Sequence, residues 1–153
     1  MAEYPYPRWV LDRAQCNVSL LFELLLASVR QDIDDAKRCS PLLKEGYKFF
    51  LDESGSDQPI LFKVRRGRDS SMFLPSSSDR EHITVIFRLM NGGIKIDCPH
   101  HPLHAPSFWA FSDWNADQQT CRLKIGERIY QPWEVSRLAL GYLFFDTLCP
   151  STS

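Results

Sequence analysis

Apolar residues recur at helical spacing through the first quarter of the chain. From Leu11 to about Lys37 they lie three or four positions apart, with good helix formers between them. The pattern predicts one long N-terminal helix, with Asp12 as the candidate cap of its start. Ser40-Pro41 ends the helix, because proline disfavours the α conformation in the residue before it. The predicted core stripe of this helix is Val18, Leu21, Phe22, Leu25, Val29, Ile33 and Ala36.

After Gly46 the pattern changes to β-branched and aromatic residues separated by turn signals. Asn91-Gly92 predicts a tight hairpin, since a type I′ turn needs positive φ at both central positions. Short connections favour antiparallel neighbours, because parallel strands need a crossover of about a dozen residues. The predicted strands are Tyr47–Leu51, Ile60–Arg66, His82–Met90, Gly93–Cys98, Phe108–Ser112 and Cys121–Gly126.

A second helix is predicted to begin at Gln131-Pro132-Trp133-Glu134 and to run to about Phe145. The chain is therefore predicted to be a single α+β domain over residues 1–153. It has an antiparallel sheet of five or six strands, preceded by a long N-terminal helix and followed by a C-terminal helix. Outside these elements we predict an extended N-terminal segment at 1–10, a mobile loop at 67–79 and a C-terminal tail at 147–153.

Composition and charge narrow the range of partners. The 153 residues carry 18 Lys+Arg against 19 Asp+Glu, a net charge of -1. This balance argues against nucleic acid and against an anionic membrane surface as whole-molecule partners. The basic run Lys63–Arg68 is interpreted as a solvated strand edge, with phosphate contact as the alternative. The apolar window Val18–Val29 is shorter than the roughly 20 residues that span a bilayer, which predicts no membrane insertion.

The five cysteines predict reduced thiols. Their number is odd and no CxxC spacing occurs among Cys16, Cys39, Cys98, Cys121 and Cys149. The N-terminus does not show the basic segment followed by an apolar run that is typical of a signal peptide. Together with reduced thiols, this predicts a cytoplasmic protein.

The segment Asp97–His104 is the candidate metal site. Imidazole, thiolate and carboxylate groups are zinc ligands, and Cys121 is a further candidate ligand from a neighbouring strand. Prolines at 99, 102 and 106 stiffen this path, and no HExxH, GxSxG or phosphate-loop motif occurs. We therefore favour a solvent-facing loop and predict no cofactor and no catalytic residue. The alternative function is a small metal- or ligand-binding protein, including an enzyme, whose candidate metal ligands are Cys98, His100, His101 and His104.

Both predicted helices carry apolar residues on more than one side. Leu20 and Leu24 lie nearly opposite the core stripe of the first helix. On the second, Val135, Leu138, Tyr142 and Phe145 form the predicted core stripe, and Trp133, Leu140, Leu143 and Phe144 the other side. Such a helix is either buried on several sides or contacts a partner.

The favoured function is a non-enzymatic protein–protein interaction module of an adaptor, chaperone-like or inhibitor type. Its partner is an unidentified protein, and a homodimer is the alternative. The candidate binding residues are Leu20, Leu24, Trp109, Trp114, Trp133, Leu140 and Phe144.

Asp32 is the acidic residue closest to the first helix's apolar stripe. A carboxylate beside a core needs a charged or hydrogen-bonding partner. The hypothesis is that Arg65 or Arg88 from the sheet pairs with it, and the alternative is that Asp32 reaches water.

Overall fold

A seven-stranded antiparallel sheet in chain order is the centre of the fold. The computed structural model describes residues 8–54, 60–68, 82–99, 101 and 105–146. The helices are α1 (Trp9–Ala14), α2 (Val18–Cys39), a short 3₁₀ helix (Pro41–Glu45) and α3 (Pro132–Phe145). The strands are β1 (Tyr47–Glu53), β2 (Leu61–Arg68), β3 (Ile83–Met90), β4 (Gly93–Asp97), β5 (Ser107–Asn115), β6 (Thr120–Ile125) and β7 (Arg128–Tyr130).

The predicted α+β class is confirmed, and the sheet has seven strands where five or six were predicted. The additional strand is β7, whose three residues are too few to show a period of two. The prediction of a 67–79 loop was wrong at its start, because β2 continues through Arg68. Residues 69–79 of that loop, residues 1–7 of the extended N-terminal segment and the tail 147–153 lie outside the described residues. The extended segment was predicted too long, because α1 begins at Trp9.

The N-terminal region forms two helices, so the prediction of one continuous helix was wrong. The break lies between Ala14 and Val18, where Asn17 takes an extended conformation and its side chain accepts a hydrogen bond from the Leu20 N–H at 3.0 Å. Asn17 is thus the cap of α2, whereas Asp12 lies inside α1. The sequence pattern did not reveal the break, because apolar positions recur at helical spacing both before and after it.

Strand pairing sorts side chains onto two faces of the sheet. Phe62 pairs with Phe87 and Val64 with Val85, and all four are fully buried. Their face is the inner one, on which α2 and α3 pack. The Phe62 ring stacks on Phe87 at 4.5 Å between centroids and contacts Phe22 of α2 at 5.1 Å. The predicted stripe of α2 is confirmed as core, except that Val18 is only partly buried.

A disulfide joins Cys16, between α1 and α2, to Cys121 on the inner side of β6. The prediction of reduced thiols was therefore wrong for this pair, and Cys121 is not a further zinc ligand. The two cysteines are 105 residues apart, and only the folded topology brings them together. Cys39 and Cys98 are free thiols.

Arg66 is buried on the inner face, although the sequence placed it on a solvated strand edge. It is 1% exposed, and its Nη1 donates hydrogen bonds to the carbonyls of Leu143 at 2.9 Å and Asp146 at 2.6 Å. Its guanidinium lies 4.9 Å from the Tyr47 ring centroid. Arg66 therefore closes the C-terminal end of α3, where carbonyls lack helical partners and the helix dipole favours a cation.

Asp32 pairs with α3 instead of the sheet. The Ser136 hydroxyl donates to Asp32 Oδ2 at 2.6 Å. The hypothesis of a partner at Arg65 or Arg88 was wrong, because both arginines lie on the outer face of the sheet. Arg65 pairs with Asp52, and Arg88 pairs with Asp97 at 3.5 Å.

Candidate partner-binding surfaces

A cleft with a volume of about 290 Å³ runs between α2 and α3. Ala36 and Cys39 contribute its α2 wall, and Phe144 and Phe145 its α3 wall. Gly141 also lines the cleft from α3, and a Cβ built on it meets nothing within 4 Å. Glycine at this position leaves the cleft open in the C-terminal half of α3.

A second hollow, with a volume of about 400 Å³, lies along the same two helices. Leu24, Ala27 and Ser28 line it from α2, and Pro132 and Trp133 from α3. Trp133 lines both depressions, so both border the same indole side chain. The Arg137 guanidinium lies 5.3 Å from the Trp133 ring centroid, which favours a fixed position for the indole.

The polar groups at the cleft are engaged with one another. Asp32 accepts the Ser136 hydroxyl bond, and Asp35 accepts hydrogen bonds from Arg38 at 2.7 Å and from Gln31 at 3.1 Å. No acid–base pair of the catalytic kind is formed by these groups, because the acids are held by a serine, an amide and an exposed arginine. The surface of the cleft that is accessible to a ligand is therefore mainly apolar.

The structure separates the seven predicted binding residues into three groups by exposure. Leu20, Leu24, Trp109 and Trp133 are exposed, and Trp114 is half-buried. Leu140 and Phe144 belong to the core, at 0% and 6% exposure, although Phe144 also borders the cleft. Leu20, Leu24 and Trp133 lie on the helical side of the molecule, whereas Trp109 lies on the outer face of the sheet.

Two residues of the helical surface, Gly141 and Phe145, were missed by sequence reasoning. Phe145 was placed on the core stripe of the second helix but is 59% exposed, and Leu140 was placed on the opposite side but is buried. The stripe was misassigned because α3 is apolar around most of its circumference, which leaves its orientation undetermined. Gly141 was the available signal, because a glycine inside an apolar helix costs stability and usually has a packing or functional reason.

Pro99 and His101 are held against α3. The His101 ring donates from Nε2 to the Leu138 carbonyl at 2.7 Å, and the Tyr142 hydroxyl donates to the Pro99 carbonyl at 2.7 Å. Cys98 is fully buried. His100 and His104 lie outside the described residues, and within those that are described no group of three His, Cys, Asp or Glu side chains is placed to hold a metal. The metal site stays a prediction.

Native thiol reactivity is expected to differ sharply between Cys39 and Cys98. Burial, with a smaller contribution from the Asp97 carboxylate, raises the pKa of the Cys98 thiol from 9.0 to about 12, whereas Cys39 is exposed. Three pKa units reduce the thiolate fraction of Cys98 about a thousandfold at pH 8. Iodoacetamide should therefore label Cys39 and spare Cys98, as measured by peptide mass spectrometry, and label both in urea.

The same shift gives a pH dependence of stability. The pKa of the Cys98 thiol is higher in the folded state than in the unfolded state. Its contribution to the free energy of unfolding is therefore fully present below pH 9 and is lost as the pH rises towards 12. A Cys98→Ala variant should lack this part of the alkaline loss. Fast labelling of native Cys98 would contradict the burial on which both expectations depend.

No known protein-family profile, curated protein or solved structure matches this chain. Among the described residues, no helix is both long enough and apolar enough to cross a membrane.

Proposed function

We propose that this chain is a non-enzymatic protein-interaction module that binds its partner along the α2–α3 seam. The seam comprises Leu20, Leu24, Trp133, Gly141 and Phe145. The observation that carries the proposal is that Trp133 borders two apolar depressions along the same pair of helices. Three large side chains remain more than half exposed along it, with Leu24 at 56%, Trp133 at 54% and Phe145 at 59%.

The shape of the seam supports insertion of apolar side chains from a partner. Contiguous apolar surface on a soluble domain marks interaction sites more often than scattered single residues do. Tryptophan in or beside a concave apolar site is a frequent energetic centre of protein interfaces. Leu24 and Trp133 share one hollow, so a partner side chain placed there contacts both.

The polar rim adds specificity to this apolar surface. Asp35 and Arg137 lie at the cleft, so a partner needs both an apolar anchor and polar groups that match opposite charges at its edge. A second copy of this chain is the alternative occupant, since Leu24 and Trp133 of one copy could face those of another.

Leu24→Asp is expected to reduce partner recovery at least tenfold while leaving the fold intact. A carboxylate placed against Trp133 loses apolar contact and adds a desolvation cost, together more than the 1.4 kcal/mol that corresponds to tenfold. The measurement is affinity capture from the native host, quantified by mass spectrometry, alongside sedimentation of the purified protein.

The matched control is Ile60→Asp, because Ile60 is also 56% exposed but lies beside β2, away from the seam. Loss of the same partner with both variants would indicate general destabilisation or nonspecific adhesion and would contradict the proposal. Concentration-dependent dimerisation that Leu24→Asp abolishes would identify a second copy as the occupant.

Gly141→Leu is expected to block the cleft and to stabilise the protein at the same time. A Cβ at this position meets nothing within 4 Å, and replacing glycine in a helix interior by a good helix former stabilises the helix by up to about 0.8–1 kcal/mol. Urea unfolding should therefore show a higher midpoint, whereas partner capture should fall. Unchanged capture by a stabilised Gly141→Leu protein would remove the cleft from the binding surface.

The cytoplasmic location predicted from the sequence stays a proposal. The Cys16–Cys121 disulfide is more typical of oxidising compartments, which removes the support that reduced thiols lent to it. Alkylation of thiols directly in host cells, followed by counting the modified cysteines, distinguishes the cytoplasm from an oxidising compartment. Alkylated Cys16 and Cys121 would indicate the cytoplasm, and an intact disulfide would indicate an oxidising compartment.

A further inference from the structure

The outer face of the sheet is the surface opposite α2 and α3. Alternation along each strand places Lys95, Trp109 and Phe111 on this face, because Ile94, Ile96 and Ala110 between them are buried on the inner one. Helices α2 and α3 pack on the inner face of the sheet. Met90, Trp109 and Phe111 are 45%, 37% and 46% exposed there.

Charge is distributed unevenly between this face and the rest of the chain. Strand alternation assigns seven cationic and three acidic side chains to the outer face, an excess of four positive charges. Since the whole chain has a net charge of -1, the remainder carries an excess of five negative charges. The cationic residues are Lys48, Lys63, Arg65, Arg88, Lys95, Arg122 and Lys124, and the acidic ones are Asp52, Asp97 and Asp113.

An aromatic pair lies within this basic surface. The Trp109 and Phe111 rings are nearly parallel, at 9° between planes and 6.2 Å between centroids. They meet over Gly93, where a Cβ would come within 2.9 Å of the Phe111 ring and 3.1 Å of the Trp109 ring. The absence of a side chain at Gly93 therefore allows both rings to lie close to the sheet.

Two lysines flank the aromatic pair in the strand register. Lys95 lies opposite Trp109, and Lys124 lies opposite Phe111. Neither lysine forms an ion pair with any side chain in the described ranges, whereas Arg65 and Arg88 on the same face are paired with Asp52 and Asp97. The cations nearest the rings are thus the ones available to a ligand.

We propose that the outer face binds single-stranded nucleic acid, with bases stacked on Trp109 and Phe111 and phosphates bound by Lys95 and Lys124. Aromatic platforms inside a positively charged surface bind single strands without sequence preference, because every base has a π face. The ligand must bind through these side chains, since β5 is an interior strand with β4 and β6 on its two sides. A peptide therefore cannot extend the sheet at this point. This binding is independent of the helical seam.

The proposal is tested by fluorescence anisotropy of a labelled oligothymidylate. A length of about 12 nucleotides lies in the range that single-strand-binding domains cover. Titration with the full chain at low salt should give binding that weakens as salt increases. Trp109→Leu, which keeps an apolar cover over Gly93 but removes the indole, should weaken binding about 5- to 100-fold, as expected for loss of one stacked base. Trp133→Ala, an exposed tryptophan on the helical side, should have no effect.

The double variant Lys95→Gln/Lys124→Gln should reduce the slope of log affinity against log salt by about 1.4, the value for two phosphate contacts to a single strand. The control Lys37→Gln/Lys44→Gln removes the same charge from exposed positions outside the sheet and should leave the slope unchanged. Circular dichroism and urea unfolding of every variant verify that it is folded.

Three outcomes would overturn the proposal. The first is no change in anisotropy up to about 100 μM protein, the weak limit of nonspecific binding. The second is equal loss with the matched controls. The third is stronger binding of a labelled polyglutamate peptide that Trp109→Leu leaves intact, which would identify an acidic protein as the ligand instead.

Discussion

Replacing Arg66 with methionine is expected to lower the free energy of unfolding by about 2–4 kcal/mol. Arg66 is almost completely buried and donates hydrogen bonds to the carbonyls of Leu143 and Asp146 at the end of α3. Methionine fills similar space but leaves those carbonyls without this donor. Because β2 and α3 meet through this side chain, the loss should affect the whole domain. Urea unfolding followed by circular dichroism measures it.

The matched control is the neighbouring Arg65→Met. Arg65 lies on the opposite face, with 42% of its side chain exposed, and pairs with Asp52 at the surface. An exposed pair of this kind contributes about 0–1 kcal/mol. Arg66→Lys should give an intermediate loss, because one ammonium group cannot reproduce the geometry of the guanidinium. Equal effects of Arg65→Met and Arg66→Met would contradict the structural role of Arg66.

Removing the Cys16–Cys121 disulfide is expected to lower the free energy of unfolding by about 2–4 kcal/mol. The bond closes a loop with a sequence separation of 105, and cross-linking such a long loop restricts the unfolded chain strongly. In the folded state the bond attaches the α1–α2 junction to β6. The Cys16→Ser/Cys121→Ser variant should therefore unfold at lower urea concentration than the oxidised protein.

Dithiothreitol should shift the unfolding midpoint of the wild-type protein in the same direction and leave the double serine variant unchanged. Cys39→Ser is the control, because Cys39 is an exposed free thiol. If reduction had no effect on wild-type stability, or if non-reducing peptide mapping did not recover the Cys16–Cys121 pair, the bond assigned here would be wrong.

Much of the architecture could be predicted because its patterns are local. The α2 stripe around Phe22 and Val29 has helical periodicity. The tight turn at Asn91-Gly92 was recognised from its residues, but the predicted type I′ conformation was wrong, because Gly92 has positive φ and Asn91 does not. The missed strand and the missed helix break involve few residues. The three residues of β7 are too few to show an alternating pattern. The cap at Asn17 is a single residue and leaves the helical spacing of the apolar residues around it unchanged.

The seam was predicted only in part, for a geometric reason. Leu24 and Trp133 were recognised as apolar residues on the second side of each helix, and both are exposed. For α3, however, an apolar pattern on nearly all sides does not specify which side faces the core, so Leu140 and Phe145 were exchanged. Whether two helices leave a cleft between them depends on their distance and on small residues such as Gly141.

Local patterns were sufficient to predict the α+β class, the antiparallel pairing of strands joined by short connections and the inner stripe of α2, since each depends on neighbours in the chain. Tertiary packing established the Cys16–Cys121 pairing, the burial of Arg66 at the end of α3 and the separation of charge between the two sides of the sheet. Alternation along a strand states which residues share a face, but the packing of α2 and α3 decides which face is covered. A net charge near zero therefore concealed a basic aromatic surface that appears only when the seven strands are assembled.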